Sequence, residues 1–276
     1  MKKYFSFIAL ALCTVLAISC GNNRSAKNSK GKIDKTEVAE AEIKLADNVL
    51  ASIDSLAESY GQIDAESAVE VILSGLTEEQ KLVKPDYLLD PSLTKDLLSH
   101  RQRVNALAIL VSERPVRVAY DMPVEDVDKA IASLAANLNH PLNFLDIDTL
   151  SVSQKIKMTY ESCRKESMQC YFWQFNAAIQ SNIFYLISCN CERFFDNVNP
   201  EQYKAFTSRF LTTRKAAYEL AEYDPEIASA LAFQEKNWGF ASVEEAEAAL
   251  SDIETGRKTF EKRKDDYRKY REWALL

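Results

Sequence analysis

The chain has 276 residues, with 34 Lys and Arg against 41 Asp and Glu and a formal net charge of −7. An acidic chain without a concentrated basic face is a poor binder of nucleic acid and gains nothing from anionic lipid headgroups. Only six Gly and seven Pro, and almost no period-2 alternation of apolar residues, exclude a sheet-rich fold and point to helices.

Met1-Lys2-Lys3 is a short basic start, followed by the apolar run YFSFIALALCTVLAI and then Ser19-Cys20-Gly21. The run is short of the roughly 20 residues that span a bilayer and suits a secretory signal. With Cys20 placed after the small residues Ala17 and Ser19, residues 1–21 resemble a bacterial lipoprotein signal peptide. The resemblance implies cleavage before Cys20, a diacylglyceryl group on its sulfur and acylation of its new amino group. Several chains are needed because one alone anchors only marginally, at about 0.8 kcal/mol per buried CH₂. Gly21 in place of Asp implies sorting to the outer membrane, and the lack of an acidic cluster after it implies a periplasm-facing protein. Loss of residues 1–19 removes Lys2 and Lys3 and takes the net charge to about −9.

Residues 20–34 read as a lipidated flexible tether, polar and without apolar anchors. Residues 35–276 read as a single all-helical domain, with a candidate subdivision near 139–150. From Thr36 the apolar positions Val38, Ile43, Val49, Ile53 and Leu56 predict a helix ending near Tyr60-Gly61, and Ala68 to Leu73 predict a shorter one closed by Gly75. Thr77 and Gln80 form a capping box, and Pro85 cuts that turn short. Asp90-Pro91 opens a helix to about Glu113; Arg114 to Tyr120 looks extended; Val124 to Leu138 is helical again.

A long helix is predicted from Ser151 or Ser153 into the stretch from Ser167 to Cys191, twenty-five residues without Asp, Glu, Lys or Arg. A helix apolar almost all round is buried by other elements or by lipid. Gln169, Gln174, Asn176, Gln180, Asn182 and Asn190 argue against lipid, where each carboxamide would need a partner. The carboxamides have two readings: a satisfied network tying the helix to its neighbours, or a ligand pocket lined by Gln169, Trp173, Asn176 and Gln180. Further helices start at Pro200, at Asp224-Pro225 and at Ser242-x-x-Glu245, the last running to the C-terminus with alternating charges. The expected fold is an all-α irregular bundle of about seven or eight helices around a long buried central helix.

Chemistry is sparse. The two histidines, His100 and His140, form no metal-spaced pair, and six scattered glycines make no phosphate-binding loop. No cofactor, metal or catalytic set is expected. Cys163, Cys170, Cys189 and Cys191 fall on what reads as one helix, too far apart along it for all but the last pair to bridge. They read as free thiols, with a C-x-C redox pair as the alternative. The expected function is therefore a membrane-anchored periplasmic protein-binding or scaffold module that meets an envelope protein through its C-terminal helix; an enzyme ranks third, for want of a recognisable catalytic set. The alternative is a receptor for a small apolar or aromatic ligand.

Overall fold

A computed structural model describes residues 44–63, 67–139 and 151–276. The signal segment, Cys20, the tether, His140 and most of the 139–150 connection lie outside the described residues. Among the described residues there are twelve α-helices and no strand. They are α1 (Asp47–Gly61), α2 (Ala68–Ser74), α3 (Glu78–Lys81), α4 (His100–Ala119), α5 (Glu125–Asn137) and α6 (Val152–Lys165). Next come α7 (Gln169–Cys189), α8 (Cys191–Asn197), α9 (Pro200–Leu220), α10 (Pro225–Trp238), α11 (Val243–Ala249) and α12 (Ile253–Leu275). The count exceeds the seven or eight expected because long predicted helices are cut into pieces.

The main cut falls in the expected central helix. Ser167 takes a left-handed φ of 56°, so α6 stops at Lys165 and α7 starts afresh at Gln169. The backbone N–H of Met168 closes the corner on the Cys163 carbonyl at 2.7 Å. A second cut separates α11 from α12. Asp252 ends the continuation by capping the Thr255 N–H at 2.9 Å, and Ser242 caps only the seven-residue α11.

The third correction concerns Asp90 to Tyr120. Asp90-Pro91 opens only a 3-10 turn, Pro91–Thr94, and α4 begins at His100 under a Ser99–Gln102 capping box. α4 then runs through Pro115 and absorbs the segment that looked extended. A proline inside a helix costs about 3 kcal/mol, so tertiary contacts hold these turns. Val116 is buried, Arg114 grips Asp128 of α5 through two bonds at 2.6 and 3.1 Å, and Arg117 reaches the Leu89 carbonyl at 2.6 Å. The Thr77–Gln80 box forms with both of its hydrogen bonds, because it needs nothing beyond four residues.

α7 is the axis of the body: sixteen of its twenty-one residues are buried, with α4, α6, α9 and α12 against it. Its N-terminal half, Tyr171, Phe172, Trp173 and Phe175, packs into one apolar cluster with α1 and α4. Its C-terminal half, Ile183 to Ile187, enters a second with α9, α10 and α12. A Cβ on Gly256 of α12 would overlap the buried Tyr203 hydroxyl of α9, so a larger residue there displaces the tyrosine. No described helix is long and apolar enough to cross a membrane.

Candidate functional site

The uncharged face of α7 meets polar side chains of α1, α4 and α10 and of the α10 cap, Asp224. Asn176 donates its Nδ2–H to the Phe172 carbonyl at 2.8 Å, which leaves its oxygen to accept from the Tyr60 hydroxyl of α1 at 3.2 Å. With its proton committed, the Tyr60 oxygen accepts from Gln180 Nε2 at 3.2 Å. Burial pushes the Tyr60 hydroxyl above its ordinary pKa, so it keeps that proton. Gln180 Oε1 is thereby turned away as an acceptor, and it has no partner among the described residues.

Gln180 and Trp173 both line a cavity of about 50 Å³ between α4, α7, α9, α10 and α12. The Trp173 indole N–H is buried without an acceptor among the described residues, and so is Arg214 Nε, whose side chain lines the same space. Arg214 Nη1 donates to Gln234 Oε1 at 2.9 Å, and Nη2 donates to the Tyr218 oxygen at 3.0 Å and to the Phe240 carbonyl. Gln234 in turn donates to Ser181 Oγ at 3.2 Å, closing the wall back onto α7. Burial lowers the Arg214 pKa, since desolvation penalises the cation.

The residues expected to form one pocket are thus divided. Trp173 and Gln180 line the cavity; Asn176 sits behind it in the Tyr60 network; half-buried Gln169 stands at the first turn of α7, away from the lining. Five of the six carboxamides bond to another element or helix end: Gln174 to His100 and Asp224, Asn182 to Ser112, Asn190 to Tyr87, and Asn176 and Gln180 to Tyr60. Arg214 and Tyr60 are not visible as site residues in the sequence. Arg214 did leave a trace: it falls on the apolar stripe of α9 with Phe210 and Ala217, where a cation has no place unless it is used.

A second polar cluster straps residues 84–90 onto the body. Glu113 Oε2 accepts the Leu89 N–H at 2.7 Å, while Glu113 Oε1 stands 2.7 Å from Arg271 Nη1 as an ion pair without an aligned hydrogen bond. Arg271 also donates to the Tyr87 carbonyl at 2.9 Å and lies 4.9 Å above the Tyr185 ring. Burial raises the Glu113 pKa against the opposing pull of Arg271.

A groove of about 470 Å³ runs between the Pro91–Thr94 turn, α4 and α5. Leu97, Ala130 and Leu134 form its apolar part and Lys95, Arg103, Lys129, Asp90 and Asp126 its charged rim. Beside it Leu93 and Leu98 are 64% and 85% exposed, although both are large apolar side chains.

The four described cysteines are free and lie on three helices: Cys163 on α6, Cys170 and Cys189 on α7, Cys191 on α8. Burial pushes the Cys163 and Cys170 thiols up to about 12 and Cys191 to about 11, so none is an activated nucleophile. Among the described residues no group of His, Cys, Asp or Glu could hold a metal ion. No family model, curated protein or solved structure matches this chain.

Proposed function

We propose that this chain is a lipid-anchored, periplasm-facing protein of the outer membrane whose helical body binds a protein partner. The reading is carried by the groove beside the Pro91–Thr94 turn, of ligand-binding size, together with exposed Leu93 and Leu98, the chain neighbours of its lining residues Ser92, Thr94 and Leu97. Its mixed-sign rim suits a peptide segment that alternates apolar with charged side chains. The charged face of α12 is less suited, because Lys258–Glu254, Arg268–Asp265 and Lys269–Asp266 pair on that helix at 2.7 to 3.5 Å. Exposed pairs of this kind neutralise one another and contribute little to anything else.

A photo-crosslinking residue placed at Leu93 or Leu98 in cells is expected to trap one specific protein, and the same probe with the other of the two leucines changed to Ser to lose it. Recovery of no protein above an unirradiated control from either position would refute the partner reading. For the anchor, Cys20→Ala is expected to move the chain from the membrane to the soluble fraction on cell lysis. A variant as firmly membrane-bound as the parent would show that acyl chains do not hold it.

A second reading, a small-molecule receptor, is favoured by the cavity beside Trp173. An aromatic ligand is too large for it, since a cavity of about 150 Å³ is what holds a benzene ring. The ligand would have to be small and polar.

A further inference from the structure

The cavity beside Trp173 has a chemical character more specific than its size, and the class of its ligand depends on the small-molecule reading alone, not on the protein partner. Trp173, Gln180 and Arg214 are 1%, 4% and 2% exposed, and each keeps one polar atom without a partner among the described residues. Two of these atoms, Trp173 Nε1 and Arg214 Nε, are N–H donors; the third, Gln180 Oε1, is an acceptor held in that role by the Tyr60–Asn176 network. The other nitrogens of Arg214 donate to Gln234, Tyr218 and the Phe240 carbonyl; Glu235, reached through Tyr218, and Glu245 favour its charge without a direct bond to it. A guanidinium removed from water with no carboxylate bonded to it directly, and with Nε–H unpaired, is only partly compensated, and an anion at Nε completes it.

We propose that this cavity binds a small carboxylate carrying a hydroxyl or amino group on the neighbouring carbon. The carboxylate oxygens accept from Trp173 Nε1 and Arg214 Nε, and the neighbouring group donates to Gln180 Oε1. Charge and donor are both required. A plain carboxylate leaves the Gln180 oxygen unpaired, and a neutral diol leaves the guanidinium without a directly bonded anion. The volume of about 50 Å³ limits the buried part to a two-carbon acid of the size of glycolate or glycine. Half-buried Arg101, Glu226 and Trp273 form the outer lining, with Arg101 stacked 4.4 Å above the Trp273 ring. They leave the mouth open to a short extension of the same ligand.

The test is titration of the chain, from residue 20 onward, with glycolate, glycine, acetate and ethylene glycol, monitoring the Trp173 indole N–H by ¹⁵N NMR. Its resonance is assigned by its disappearance in Trp173→Phe. Glycolate or glycine is expected to shift it saturably. Acetate is expected to bind about tenfold more weakly, the loss of one buried hydrogen bond to a neighbour left unpaired. Gln180→Met is expected to erase the preference over acetate while the response to acetate persists, which separates a lost contact from a lost fold. No saturable shift with any carboxylate would overturn the proposal and assign the cavity to ordered water. A saturable response to ethylene glycol alone would keep a small-ligand site and sink the carboxylate. None of these outcomes touches the groove at Leu93, whose crosslinks report on it separately.

Discussion

Phe184→Ala is expected to lower the stability of the fold by about 3–5 kcal/mol, the range for truncating a fully buried phenylalanine. Its ring is completely buried and stands within 4.3 to 5.7 Å of Phe210, Phe260, Tyr267, Trp238 and Phe206. Those five rings come from α9, α10 and α12, so one side chain joins three helices to the axis. Aromatic pairs add about 0.5–1.5 kcal/mol each beyond the area they bury. A typical domain holds only about 5–15 kcal/mol in total. Urea denaturation monitored by circular dichroism measures the loss, with Leu93→Ala as a surface control expected to change it by less than about 0.5 kcal/mol. A loss at Phe184 no larger than the control's would mean that the aromatic cluster does not hold the helices together.

Glu113→Ala is expected to cost a similar amount, about 3–5 kcal/mol, for a different reason. It leaves Arg271, only 10% exposed at its side chain, without its counter-charge, and frees the Leu89 N–H that Glu113 accepts. Replacing both partners, Glu113→Met with Arg271→Met, is expected to recover most of that loss, because an apolar pair avoids the desolvation of two charges. A double-mutant cycle by urea denaturation decides the matter: additive losses would show that the ion pair is not coupled. In the single variant, hydrogen exchange at Leu89 is expected to quicken more than at Val104, which shares α4 with Glu113 but lies away from the strap.

The helical class was legible because it depends on composition and on short-range pattern. The Thr77–Gln80 box, the Asp224-Pro225 restart and the limits of α5 are all decided within a few residues, and the structure has each of them. What escaped were positions where distant contacts override local preference. Pro115 reads as a helix stop, yet Arg114, Val116 and Arg117 are held from α5, the core and Leu89. Ser167 carries no sign of a left-handed corner, since only glycine or asparagine advertises one. The candidate site shows the same division. The carboxamides of α7 are plain in the sequence, but Tyr60 lies 120 residues from Gln180, and no periodicity links them.

The wall that α12 builds around α7 also sets the order in which the molecule can form. Arg271 reaches Tyr87 across 184 residues and Arg209 reaches Ile63 across 146, so these helices are synthesised long after the segments they bond. Pairings this remote in the chain make assembly slow, because the entropy of closing long loops is lost before contacts compensate it. Until Phe260 and Tyr267 arrive, Phe184 and its neighbours have no aromatic partners from α12, and an exposed uncharged segment is the one most prone to aggregate. The aromatic side of α7 therefore stays uncovered in a growing chain until α12 has been made.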